Sequence, residues 1–159
     1  MEFVANIFDL WVFRRRPHGV EFLLLRTSPE KAARHFNGGR FWQVPSDRVE
    51  ADETMVGALR RSLGQFGLFP RAIWAAEHAY LIYNRRFEQT MAITVFAAEV
   101  DEGEVFLAAR EHSEYAWCGI DDALARVHYR GLKDGLRSVH EYVTGTASPA
   151  RELCLYEAE

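Results

Sequence analysis

An α+β fold is the class this sequence predicts, and three observations predict it. Two strand-like runs open the chain, two longer aromatic and apolar runs flank a turn in its middle, and helical periodicity appears between those groups and again near the end. Strands that follow one another, with one helix interrupting and another closing, give the α+β order rather than a regular βαβ alternation.

Residues 3–14 are rich in β-branched and aromatic side chains, and residues 20–25 repeat that character after Pro17-His18-Gly19, so the two predict paired strands. Residues 27–40 are polar and end in Asn37-Gly38-Gly39, which predicts a long surface loop. A short strand over 41–44 stops at Pro45. Met55, Leu59, Leu63 and Phe66 then recur at spacings of four, four and three, and so share one face of a helix. Asp52 or Glu53 supplies the negative charge that a helix N-terminus favours, and Gly67 ends the helix. Residues 72–83 and 89–100 read as two long strands around Asn84-Arg85-Arg86. Shorter strands are expected over 105–107 and 115–118, a short helix over 120–124 and a longer one over 131–143. Residues 144–159 form a weakly patterned tail, and the whole of 1–159 is expected to be a single domain with its core in about residues 3–143.

With 48% hydrophobic and 26% charged residues the chain has the make-up of a soluble globule. A net charge of -4 offers no general attraction to a nucleic-acid polymer, and Arg14-Arg15-Arg16 reads as a solvated hairpin end. Cys118 and Cys154 are too far apart for a C-x-x-C motif and too few for a disulfide framework, so a reduced, cytoplasmic protein is expected. At the N-terminus the positive charges follow the apolar run, the reverse of a secretory signal, and Asp9 interrupts that run. No stretch approaches the roughly 18 to 20 apolar residues that cross a membrane.

The stretch from Phe41 to Leu68, FWQVPSDRVEADETMVGALRRSLGQFGL, resembles the box of the Nudix family, G-x5-E-x7-R-E-U-x-E-E-x-G-U with U a bulky aliphatic residue. Trp42-Gln43-Val44-Pro45 matches the entering strand, Val49-Glu50 and Glu53 the acidic loop, and Arg61 falls eight residues after Glu53. Leu63 takes the aliphatic position, and Gly67-Leu68 matches the closing pair with one residue lost before it. Downstream, Glu111-His112-Ser113-Glu114-Tyr115-Ala116-Trp117 is similar to the E-H-x-x-Y-x-W segment of members resembling the dATP and dihydroneopterin triphosphate pyrophosphohydrolases.

The resemblance implies an α/β/α sandwich with a mixed β-sheet. Its box would form a loop-helix-loop that holds Mg²⁺ or Mn²⁺ against the diphosphate of a nucleoside diphosphate linked to a further group. Mg²⁺ prefers hard oxygen ligands, which is why the family places several glutamates on one helical face. Here the three glutamate positions are Ser62, Gln65 and Phe66, so the box is degenerate. With Arg60 as the box arginine they become Arg61, Gly64 and Gln65, and no glutamate returns. Ser46 and Asp47 replace the opening glycines, and Asp52 stands where glycine is usual; Asp tolerates the left-handed backbone such a turn uses.

Several residues carry over. Glu53 and Arg61 match the pair that braces the loop against the helix, and Glu50 lies in the loop, facing ligand, cation or solvent. Glu111 matches an acid that reaches the box from a later loop, and Arg26 matches a basic residue that contacts substrate phosphate. Trp42, Tyr80 and Tyr83 either stack on a base or fill the core, His112 reads as a loop residue, Cys118 as core and Ser62 as a small polar helix residue. Two functions are expected. One is a Nudix-fold protein that binds a nucleotide-like or other phosphorylated small molecule with weak or no hydrolysis, and without a cofactor. The alternative is an active Mg²⁺- or Mn²⁺-dependent hydrolase whose ligands have moved to Glu50, Glu53, Glu111 and Glu114. Neither takes a nucleic-acid polymer or a membrane as partner, and a homodimer is left open.

Overall fold

In the computed structural model, which describes residues 1–159 throughout, strand β1 (Glu2–Arg16) turns back into β2 (Gly19–Thr27), with Arg16 opposite Gly19 at the tip. There follow α1 (Pro29–His35), β3 (Trp42–Gln43), β4 (Ser46–Arg48) and α2 (Met55–Gln65). The long hairpin β5 (Pro70–Asn84) and β6 (Gln89–Val100) leads to β7 (His112–Cys118), α3 (Ile120–Arg126) and α4 (Arg130–Val139), and β8 (Cys154–Glu157) ends the chain. All strands join one mixed sheet in the order β3-β2-β1-β6-β5-β8, with β4 added to β1 and β7 to β2.

The centre of the sheet is the parallel pair β1–β6. Such a pair is covered on both faces, and the unbroken buried run from Phe8 to Phe13 follows from that. Even positions Phe8, Leu10 and Val12 pack with Leu59, Leu63 and Phe66 of the box region, whereas Trp11 and Phe13 pack with Leu132, Leu136 and Val139 of α4. The sheet is thus sandwiched between α2 on one face and α3 with α4 on the other. No helix is long and apolar enough to cross a membrane.

One detail of the sheet positions the box. β1 and β2 pair only from Phe13↔Phe22 to Arg16↔Gly19; beyond that β3 pairs with β2 at Leu25 and Arg26, while β4 pairs with β1 from Ile7 to Asp9. The segment running into the box therefore wedges into the fork between the first two strands. Its bend at Pro45 is held by a bond from the Leu10 N–H to the Pro45 carbonyl, 2.8 Å.

Four expectations need correction. The loop expected over 27–40 contains α1: Ser28 caps it by accepting from the Lys31 N–H at 3.0 Å, Pro29 opens it, Glu30 lies in its first turn and Arg34 and His35 in its last. No strand forms over 105–107, because Phe106 only donates its N–H to the Phe66 carbonyl (2.9 Å) and finds no ladder. The tail is patterned after all, since β8 pairs with Ala72, Ile73 and Trp74 at the edge of β5. All three hairpin arginines are tied down: Arg14 pairs with Glu21 at 2.9 Å and lies over the Trp117 ring, Arg15 pairs with Glu99 at 2.9 Å, and Arg16 pairs with Glu102.

Candidate functional site

The box loop is closed by one guanidinium. Arg61 of α2 donates from Nε and Nη2 to the two oxygens of Glu53 (2.7 and 2.9 Å), from Nη1 to Asp47 Oδ2 (3.0 Å) and from Nη2 to the Arg48 carbonyl (2.8 Å). The Glu50 N–H donates to Glu53 Oε1 at 2.9 Å, so Glu53 binds the loop backbone as well as the helix. Hydrogen bonds from Arg61, then the Glu50 N–H, hold the Glu53 carboxyl below the usual range, and the same bonds raise the arginine. Asp47 thereby does something a glycine could not: it supplies a second carboxylate to the brace. The turn also forms without left-handed backbone at Ser46, Asp47 or Asp52, because positive φ outside glycine occurs only at Asn37, Glu77 and Glu88. Arg60, the other register's candidate, lies over the Tyr156 ring at 4.7 Å and takes no part.

The three glutamate positions have three different fates. Ser62 is 2% exposed, Gln65 is exposed, and Phe66 is buried against the core with its ring 5.9 Å from that of His112. The helix stops as Leu68 N–H bonds the Leu63 carbonyl (3.1 Å), with Gly67 at φ 70°; a side chain there would strike the Phe106 ring.

Glu111 is held by α1. Arg34 Nη2 lies 2.8 Å from one of its oxygens and Lys31 Nζ 3.7 Å from the other, and these cations keep it below the usual carboxylate range, the Arg34 hydrogen bond most of all. His112, expected in a loop, is the first residue of β7 and is buried; burial, reinforced by Lys31, pushes its imidazole down to about 4. Glu114 shares a face of β7 with Ala116 and Cys118, which pack on the side of α3 and α4, and it pairs with Arg26 at 3.6 Å. Arg26 in turn lies 5.8 Å from the centre of the Trp42 ring, which Arg126 approaches at 5.1 Å. Glu50 is exposed. Glu53, Glu111 and Glu114 thus each have different cationic partners, and no three His, Cys, Asp or Glu side chains come together as a metal-binding group.

Sequence reasoning missed two arrangements. The α1 cations Lys31 and Arg34 were hidden by reading residues 27–40 as a loop, although Ser28-Pro29-Glu30 is a legible helix start. Asp9 is 3% exposed and accepts from Ser46 Oγ (2.5 Å) and from the Tyr80 hydroxyl; burial raises its pKa, against those two bonds. The signal was Asp9's interruption of an apolar run. Tyr80 is accordingly a core-side hydrogen-bond donor backed by Gly131, where a Cβ would collide with its ring, while Tyr83 is exposed.

A mixed sheet between two helical layers, with a strand-loop-helix wedged into its first hairpin and braced by an Arg–Glu fork, defines a Nudix-type domain. Residues 7–139 match the family described as NUDIX domain, and the chain belongs to that family. It is 28% identical over 148 residues to the bis(5'-nucleosyl)-tetraphosphatase [asymmetrical] of Sus scrofa, covering 87% of this chain and 95% of that one. A chain from Listeria monocytogenes described as a NUDIX hydrolase superimposes with a TM-score of 0.72 at 18% identity, covering 91% of this chain and 98% of that one. The NUDIX domain of Shewanella oneidensis NrtR, complexed with ADP ribose, gives a TM-score of 0.67 at 16% identity, covering 91% and 90%.

The divalent cation that the family implies does not fit the residues present. A buried hydroxyl, a neutral amide and a phenyl ring stand at the ligand positions, and Glu53, Glu111 and Glu114 each already have a cationic side chain as partner. Mg²⁺ has to displace those cations as well as its own water, and no group of three His, Cys, Asp or Glu side chains is available to it.

Proposed function

We propose that this Nudix-family chain binds a nucleotide-like or other phosphorylated small molecule and hydrolyses it slowly or not at all. The observation that carries the proposal is the pairing of the surviving acids: Glu53 with Arg61, Glu111 with Arg34 and Lys31, Glu114 with Arg26. Acids neutralised by fixed side chains brace a fold without collecting a metal. Ligand class is suggested by the relatives, one named for a nucleosyl tetraphosphate and one complexed with ADP ribose. Arg26, half-exposed beside Trp42, is the candidate to meet a phosphate on the α3 side, and Glu50 is an acid of the loop with no cationic partner. A reduced, cytoplasmic setting suits Cys118 and Cys154, both free.

The test is a binding screen over nucleoside di- and triphosphates, ADP ribose and dinucleoside polyphosphates, in Mg²⁺, Mn²⁺ and EDTA, with phosphate and pyrophosphate release followed in parallel. Binding that persists in EDTA with little turnover is the expected result. The alternative, an active Mg²⁺-dependent hydrolase using Glu50, Glu53, Glu111 and Glu114, is favoured by the 28% identity to a tetraphosphatase along nearly its whole length. Metal-dependent turnover that disappears in both Glu50→Gln and Glu111→Gln establishes that alternative instead.

A further inference from the structure

We infer that the face of α1 carrying Lys31 and Arg34, closed by Arg86 from the β5–β6 turn, is a fixed-charge site for a phosphate chain and needs no divalent cation. Lys31, Arg34 and His35 lie at positions i, i+3 and i+4 of α1 and so share one face. One carboxylate, Glu111, meets that face, taking Arg34 on one oxygen and Lys31 on the other. Arg86 approaches from 51 residues away, with Nη1 2.7 Å from His35 Nδ1 and 3.4 Å from the Arg34 carbonyl.

The charges do not balance. A guanidinium can only donate, so His35 Nδ1 is the acceptor and the imidazole is neutral, with its proton on Nε2. Three cations, Lys31, Arg34 and Arg86, then share this region with a single carboxylate, which only two of them touch. The crowding registers on His35, whose pKa is pushed down by burial and then by Arg86, Arg34 and Lys31 in turn. Lys31 is lowered too, chiefly by its burial. Like charges held together repel, and a multivalent anion relieves that repulsion while accepting from the guanidinium forks. A phosphate chain offers the oxygens and the charge for it.

The location strengthens the assignment. Lys31 is close enough to His112 to depress it, and His112 packs on Phe66, so the cluster borders the end of α2 where the glutamate positions lie. Fixed cations thus stand beside a box that has lost its metal ligands. That the chain belongs to a nucleotide rests on the function proposed above; the phosphate site itself does not.

Tripolyphosphate in EDTA, titrated calorimetrically into the intact protein at two ionic strengths, is the probe. Saturable binding is expected, weaker at higher salt. Arg86→Gln, on an exposed turn, should weaken it about tenfold, with Arg86→Lys recovering part of the loss. Glu111→Gln gives the sharper result: freeing Lys31 and Arg34 should tighten binding without metal, whereas a carboxylate serving as metal ligand predicts no such gain. Thermal melts check that each variant folds. No saturable binding by the parent, or equal binding by the parent and Arg86→Gln, overturns the site and leaves Arg86 as a cap on the α1 carbonyls. Nucleotides that bind the parent and Arg86→Gln alike sink this site while sparing the proposed function. Tripolyphosphate that binds where no nucleotide does has the opposite meaning.

Discussion

At the box loop two carboxylates, Asp47 and Glu53, share one guanidinium; at α1 two cations, Lys31 and Arg34, share one carboxylate. The two clusters use the same chemistry with opposite surplus. In the first, Nε and both Nη atoms of Arg61 are engaged, and the result is a closed brace with excess negative charge. In the second, Arg86 adds a further cation that finds a neutral imidazole and a carbonyl. Surviving acids are therefore poor markers of metal chemistry in this chain, because what they do depends on which cation reaches them first. One cluster holds the loop in shape, and the other leaves positive charge facing outward.

The brace is built on α2 and the α1 cluster borders its end through His112 and Phe66, so the largest effects come from the buried face of α2. Ser62→Glu would put a glutamate back at a box position. Ser62 is 2% exposed, so the new carboxylate would enter the core without a cation, costing on the order of 3 to 5 kcal/mol. Leu63→Ala, at a site with no exposure, should cost about 2 to 5 kcal/mol. Urea unfolding measures both; wild-type stability in Ser62→Glu would mean that position 62 faces the cleft.

Acid separates the two clusters next. His112 has a folded pKa of about 4, below the ordinary histidine value, so the unfolded chain binds more protons between those pH values. Stability from the neutral ring is complete above about pH 6.5 and is lost as the pH falls towards 4, by up to about 3 kcal/mol. Protonation also adds charge beside Lys31. Glu53 is depressed as well, so its contribution survives until the pH falls below the ordinary carboxylate range. Asp9 has the opposite sign, because its raised pKa favours folding at low pH, and it takes no part in the acid loss. Hydrogen exchange at pH 5 should thus open the α1 end before the box loop. His112→Phe should flatten the pH dependence there, and an unchanged profile would place the acid sensitivity elsewhere.

Breaking the brace is a smaller and more local perturbation. Arg61→Lys keeps the charge and loses the fork that spans Glu53, Asp47 and the Arg48 carbonyl. The Glu50 and Glu53 amides should then exchange faster while α1 is unaffected. Equal protection in the variant would reduce the brace to a surface pair of little value.

How much of this was legible depended on the range of the signal. The α2 stripe, the two hairpins and the Nudix resemblance came from local periodicity and spacing, and Glu53 with Arg61 from a fixed interval of eight residues. Less of the site could be read, because its partners are remote. Arg34 reaches Glu111 across 77 residues, Arg86 reaches His35 across 51, and Tyr80 reaches Asp9 across 71. No one-dimensional pattern encodes such pairs. The burial of Ser62 was hidden for a different reason: the face of a helix is clear from its apolar residues, but a small polar residue at the margin of that face can lie on either side. The edge strand β8 went unread because Cys154, Leu155 and Tyr156 are too few to establish an alternation.

The smallest expected effect is also the most discriminating. Gln65 is exposed at the end of α2, so Gln65→Glu should change stability by no more than about 0.5 kcal/mol. It restores one of the three lost acids without disturbing the core. If the neighbouring acids are committed to their cations, a single carboxylate gathers no second ligand, and Mn²⁺ should leave the melting temperature of Gln65→Glu where it leaves the parent's. A metal that bound the folded state would raise it in proportion to RT ln(1 + [L]/Kd), which makes a melt series in increasing Mn²⁺ a direct readout. Glu111 is the candidate second ligand from the later loop, and its bond to Arg34 at 2.8 Å is the obstacle. Adding Arg34→Gln to Gln65→Glu removes it. Mn²⁺ stabilisation that appears only in the double variant would show that the box is silenced by the α1 cations as much as by its missing glutamates. Stabilisation in Gln65→Glu alone would mean that Glu111 gives up its partners readily, and the contrast between the two clusters would then be one of convenience rather than commitment.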